Sequence, residues 1–263
     1  MALLRKSIVT AVALACTLTA CGSSKSKSSS STSGPTSTPA LSGTLTVLAA
    51  SSLTNGFTAL GQEFQTAHPG TKISFSFGAS SDLETQVEQG APADVFASAD
   101  QANMDKVVAA HDNASAPQNI VKNRLAIAVE PGNPKHIATL ADLTKPGVVV
   151  VLCDPSVPCG KFADQILANA NVTLTPKSRE INVKATLSKV ELGEADAAIV
   201  YVSDVKTSGK VLGITIPDAV NVVTTLPIVA LKDSSHAALA AAWVTFVIAH
   251  ENELVSDFGF LPL

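Results

Sequence analysis

The sequence predicts an α/β protein of two lobes. Strand-like and helix-like segments alternate from residue 44 to residue 263, in two successive series, and the 263-residue chain is 46% hydrophobic with only 15% of its residues charged. Such alternation favours parallel strands joined by crossover helices, and the composition allows a sizeable core.

The elements follow in order. GTLTVLAA (43–50) is β-branched with partial alternation and reads as a strand. In SLTNGFTALGQEFQTAH, Leu53, Phe57, Leu60 and Phe64 fall at helical spacing, and HPG stops the helix. TKISFSFGA (71–79) alternates Ile73, Phe75 and Phe77 as a strand, SSDLETQVEQGAP is a short helix closed by Gly90 and Pro92, and DVFASAD is a further strand. Together they make a βαβαβ unit. The second series runs through the strands NRLAIAVE (123–130) and GVVVVLCD (147–154), the helices GKFADQILANA and INVKATLSKVELGE, and the strand AAIVYVSD (197–204). After VNVVTTLPIVALKD, the segment SHAALAAAWVTFVIAHENELVSDFGF reads as one long helix returning to the first lobe. A cleft between two such lobes suits a small ligand.

The N-terminus sets the expected compartment. Arg5 and Lys6 precede SIVTAVALACTL, an apolar stretch too short for a finished membrane anchor. It ends in LTAC (18–21), which resembles the bacterial lipobox, so 1–20 is expected to be a lipoprotein signal peptide and Cys21 the acylated residue. The Ser-rich segment 21–43 has almost nothing to bury and is expected to be a disordered tether. A formal net charge of −4, with no basic run outside leader and tether, argues against a nucleic-acid partner.

Enzyme motifs are missing. No G-x-S-x-G elbow, Gly-rich phosphate loop or H-E-x-x-H occurs; HENEL (250–254) lacks the second histidine. His68, His111, His136, His236 and His250 are scattered singly and read as surface or loop residues. CDPSVPCG (153–160) has neither the spacing of a redox CxxC nor a partner pair for zinc. What recurs is the strand-to-helix junction with small or hydroxyl residues: AASSLTN (49–55), GASSDL (78–83) and VPCGKF (157–162). Helix N-termini carry unpaired N–H groups and positive potential, so junctions converging on one cleft would hold an anion without lysine or arginine. Taken singly, Ser52, Ser80 and Ser81 also read as ordinary N-caps. Ser234 lies outside these junctions, and its replacement by alanine is expected to leave anion binding unchanged.

LTVLAASSLTNGF, FSFGASSDLETQVEQGAPADVFASADQANMDKV, VLCDPSVPCGKFA, AAIVYVSD and FGF, in that order, resemble the periplasmic molybdate-binding proteins that feed ABC importers. The resemblance spans nearly all of 44–263. It implies a type II periplasmic-binding-protein fold, each lobe a mostly parallel sheet flanked by helices, with the ligand in the interlobe cleft. Lobe 1 is expected at about 44–123 plus 228–263 and lobe 2 at about 124–227. It also implies hydroxyl donors at Ser52 and Ser80, with Ser81 the neighbouring candidate, backbone N–H donors at Cys159 and Val183, and a hydroxyl donor at Tyr201, the only tyrosine. Cys159 stands where the family has alanine, in a loop about one residue shorter.

The expected function is capture of molybdate, and of tungstate, for an ABC permease, by a monomer lipid-anchored at the extracytoplasmic face of the cell membrane. No catalysis, cofactor or metal beyond the oxyanion is expected. The alternatives are a binder of another tetrahedral oxyanion such as sulfate, or a surface hydrolase with Ser52 or Ser80 as nucleophile. Asp82 and Asp154 flank the junctions and are expected to cap or face solvent. With Cys16 in the signal and Cys21 lipidated, Cys153 and Cys159 are expected to form a disulfide, the alternative being two free thiols.

Overall fold

The structure is a computed structural model describing residues 41–263. The signal segment, Cys16, Cys21 and all but the last residues of the tether lie outside the described residues.

β1 (Gly43–Ala50) is buried on both faces from Leu45 onward, as befits a strand flanked by parallel neighbours on each side. β2 (Thr71–Gly78) lies at the sheet edge; Ile73, Phe75 and Phe77 turn inward while Lys72, Ser74 and Ser76 are exposed. Between them, α1 (Thr54–Ala67) buries Phe57, Leu60 and Phe64 completely. Each such side chain contributes about 1.5–3 kcal/mol at most. α2 (Ser80–Glu88) crosses to β3 (Val95–Ala97), which pairs parallel with β1. α3 (Gln101–Ala109) follows, capped by Asp100, whose carboxylate accepts from the Asn103 N–H.

β4 (Gln118–Val129) leaves this lobe for the next. Its first half pairs antiparallel with β9 (Val223–Ala230), and its second half with β7 (Ala197–Tyr201) and β8 (Leu212–Thr215). The second lobe adds β5 (Val150–Cys153), α4 (Pro158–Asn169), β6 (Ser178–Glu180) and α5 (Val183–Glu191), with β5 parallel to both β6 and β7. The sheet therefore runs β2-β1-β3-β9-β4-β7-β5-β6, with β8 attached to β4. Parallel triplets at either end are joined by the antiparallel strands β9 and β4.

Two readings are corrected. AAIVYVSD is strand only to Tyr201; α6 (Val202–Ser208) begins at once and is capped by Gly209 in the left-handed region at φ 65°. The C-terminal segment is two helices, α7 (Ala237–Ala249) and α8 (Glu251–Ser256), parted at His250. α7 does pack on the first parallel triplet. Its Trp243, fully buried, meets Phe57 and Phe64 edge to face at 5.6 and 5.5 Å.

Candidate functional site

The carboxyl ends of β1, β2, β3, β5 and β7 point into one cleft, where open α/β sheets place ligands. The cavity there is narrow and partly open, about 10 Å³ being free to the centre of a water-sized sphere, and Ser52, Ser80, Cys159, Val183 and Tyr201 all line it.

Ser52 sits in the single 3-10 turn Ser51–Leu53 that links β1 to α1, a turn fixed by the Thr54 hydroxyl donating to Ser51 O at 2.7 Å. The Ser52 hydroxyl is buried and has no partner among the described residues. Ser80 opens α2. Its Oγ accepts the Ala99 N–H at 2.9 Å, which leaves the hydroxyl proton free to be donated; Ala99 is held in turn by the Thr224 hydroxyl at 2.8 Å. Ser81 is half-buried as a residue, with a buried hydroxyl that is likewise unpartnered among the described residues, but it does not line the cavity.

Across the cleft, Pro158 and Cys159 begin α4, and Cys159 is bridged by a disulfide to Cys153 at the end of β5, with Cα atoms 5.8 Å apart. Proline suits the first helical position because its missing N–H would have had no acceptor there. The next N–H, that of Cys159, has no intrahelical acceptor and is available to the cavity. Gly160 must be glycine: an added Cβ would lie 1.9 Å from Asp154 O. Arg179 secures the strand end from behind, Nη1 donating to Cys153 O at 2.9 Å and Nη2 to Asp164 at 2.8 Å. Val183 is the first residue of α5. Asn182 caps that helix, its Oδ1 accepting the Ala185 N–H at 3.0 Å, so this acceptor is turned onto the helix.

Tyr201 ends β7 with its ring buried and its hydroxyl unpartnered among the described residues. Burial, then the nearby carboxylates of Asp100 and Asp204, push its pKa well above the ordinary value, so the hydroxyl stays a neutral donor. Asp204, fully buried on α6, meets the Lys184 ammonium at 3.0 Å without an aligned hydrogen bond to either oxygen. Burial raises its pKa to about 6 against the opposing pull of Lys184.

No charged side chain lines the cavity. Asp82 is exposed, and Asp154 turns back on Ser156, its Oδ1 accepting the N–H at 2.9 Å and the hydroxyl at 2.6 Å. Those bonds hold the Asp154 carboxyl below the usual range. No histidine lines it either, so neither serine has a general base there. What the arrangement offers is a small cavity lined from both sides by hydroxyl residues and helix starts, without a charged side chain.

The described chain from 45 to 261 matches the model of a family described as bacterial extracellular solute-binding protein. The chain belongs to this family. Among its relatives, the molybdate-binding protein ModA of Mycobacterium tuberculosis H37Rv is 42% identical over 241 residues, covering 91% of this chain and 90% of the relative. A solved substrate-binding domain of a putative molybdenum ABC transporter from Clostridium difficile superposes with TM-score 0.64 at 28% identity, over 84% of this chain and 99% of that one. The Azotobacter vinelandii periplasmic molybdate-binding protein gives TM-score 0.73 over 83% and 99%; at 17% identity it speaks for the fold alone. These neighbours share the type II periplasmic-binding-protein fold, the α/β class expected. The family binds solutes and is not a family of enzymes.

Two further polar residues line this solute-binding protein's cavity: Ser51, beside Ser52, and Asn182, whose place directly before a helix is a cap signal legible in the sequence. Ser234 does not line the cavity; its hydroxyl donates to Asp94 at 2.6 Å and accepts the His236 N–H at 3.1 Å.

Proposed function

We propose that this protein captures molybdate, and tungstate with it, and delivers the anion to the permease of an ABC importer. The observation that carries this is the cavity itself. It holds two buried hydroxyls without partners, Ser52 and Tyr201, a third with its proton free, Ser80, and the N–H groups of Cys159 and Val183, with no charged side chain. A buried donor without a partner costs about 1–3 kcal/mol, so a cluster of them favours a ligand that only accepts. A fully deprotonated tetrahedral oxyanion is such a ligand.

Selectivity follows from the same donors. Protonated phosphate would set its own O–H against them, with no carboxylate to receive it. Sulfate carries no proton, so in this reading size alone excludes it: a cavity that fits the longer molybdenum–oxygen bonds would leave its donors short of sulfate's oxygens. The names of the relatives support molybdate over sulfate.

In this reading lobe 1 is 44–123 plus 228–263, lobe 2 is 124–227, and β4 and β9 are the crossing strands about which they close. The protein acts as a monomer, lipid-anchored through Cys21 at the outer face of the membrane, with no catalytic step. A thermal-shift panel tests it. Molybdate and tungstate should each raise the melting temperature by several degrees at a hundredfold excess over their dissociation constants. Sulfate and phosphate should leave it unmoved, and equal stabilisation by sulfate would overturn the size argument.

A further inference from the structure

On the far side of the first parallel triplet, α1 and the α7/α8 junction bring together Glu63, His250 and Glu253. One ligand atom from each lies within 4.8 Å of the others. Yet none of the three side chains forms a hydrogen bond or ion pair with another, nor does either glutamate pair with a cation elsewhere among the described residues. They are too far apart to bond one another. They are near enough for one ion between them, since donors about 2.0–2.2 Å from a tetrahedral ion lie roughly 3.3–3.6 Å apart, within reach of small side-chain rotations from the present spacing.

His250 is prepared for such a role. Its Nδ1 lies 2.7 Å from Phe246 O, and since a carbonyl only accepts, Nδ1 carries a proton, which in the neutral ring leaves the lone pair on Nε2. A backbone carbonyl fixing one ring nitrogen while the other binds metal is a recurring support for metal-bound histidine. The ring is also stacked on Phe246 at 3.9 Å, and Phe246 meets Phe64, the neighbour of Glu63, at 5.2 Å. The helices that present the three groups are therefore locked together by their aromatic seam. HENEL, which lacks a second histidine for a zinc helix, takes its third group from α1 instead.

We propose that Glu63, His250 and Glu253 bind a divalent transition-metal ion of the zinc type, stapling α1 to the C-terminal helices. Two carboxylates and an imidazole suit such an ion better than magnesium, which prefers oxygen alone. Water would complete the coordination. The site lies outside the anion cavity and would act on stability, not on anion affinity.

The test uses the full chain, stripped with a chelator, with the melting temperature followed against zinc chloride and, separately, magnesium chloride. Zinc should raise it saturably by several degrees, and magnesium should not. Glu63→Gln, at an exposed position where folding is not at stake, and Glu253→Gln should each weaken the zinc response about tenfold or more, and the triple variant with His250→Ala should lose it. Molybdate titrations of these variants should match wild type. Absence of a saturable zinc shift, or a shift that survives in the triple variant, overturns the proposal, the latter meaning that zinc binds elsewhere on the chain.

Discussion

Replacing Tyr201 by phenylalanine should move stability and affinity in opposite directions. The hydroxyl is buried on a side chain only 1% exposed and has no partner among the described residues. Leaving it there costs about 1–3 kcal/mol in the ligand-free protein, and phenylalanine fills the same space without that cost. Ligand-free Tyr201→Phe should therefore melt higher, by roughly 2–4 °C per kcal/mol recovered in a domain of this size. With a doubly charged oxyanion in the cavity the same hydroxyl makes a charge-assisted bond of about 1.5–3 kcal/mol. Its loss should weaken molybdate binding roughly 10- to 150-fold. Differential scanning calorimetry without ligand and isothermal titration with molybdate read the two effects separately. An unchanged dissociation constant would return Tyr201 to a purely structural role. A ligand-free melting temperature that falls by several degrees would mean the hydroxyl is bonded within the protein, and the cavity argument would lose its strongest member.

The two serines should separate in the same experiments. Ser52→Ala removes an unpartnered hydroxyl and should weaken molybdate binding about tenfold at little cost in melting temperature, whereas Ser80→Ala also orphans the Ala99 N–H and should cost about 1–3 kcal/mol of stability as well. Gly160→Ala should lower the melting temperature and the affinity together, because the new Cβ meets backbone oxygen at 1.9 Å and pushes the start of α4 off the cavity; retained affinity would show that the Cys159 N–H is not needed. Reducing the Cys153–Cys159 bridge opens a loop of sequence separation 6, whose closure is worth only about 2 kcal/mol by chain entropy, so molybdate affinity should suffer more than global stability, and the reverse order would contradict a clasp on the binding loop. Asp204 has a folded pKa of about 6 against 3.8 for the free group, so the stability it contributes is full below pH 4 and is lost as pH rises through 6, a swing of about 3 kcal/mol. Relative to Asp204→Asn, wild type should lose ground across that window in melts at pH 4, 5, 6 and 7; a constant gap would show that the buried carboxyl does not titrate there.

Much of this was legible in the chain, for identifiable reasons. Phe57, Leu60 and Phe64 at helical spacing, and Ile73, Phe75 and Phe77 at alternate positions, mark helix and edge strand because each buries one face only. The second lobe was harder. β5 and β7 are buried on both faces, so their apolar runs carry no period, and α6 starts at Val202 with no glycine or proline to announce it. Reading Ser203 and Asp204 as the end of a strand hid a buried ion pair beside the cavity. The break at His250 was equally silent, since the sequence runs from α7 to α8 without a glycine or proline, and only the backbone of His250, at φ −108° and ψ 22°, parts them. The site residues themselves are scattered singly from Ser52 to Tyr201, and only a resemblance to a family with the same order of loops joined them; their individual environments, above all which hydroxyls lack partners, required the fold.

The most direct measurement is anomalous diffraction at the molybdenum edge from crystals grown with molybdate. The account predicts one strong peak in the cleft, within hydrogen-bonding reach, through the oxyanion's own oxygens, of the Ser52, Ser80 and Tyr201 hydroxyls and the Cys159 and Val183 N–H groups. No peak in that cavity from protein that binds molybdate in solution, or a peak held by charged side chains elsewhere, would contradict it.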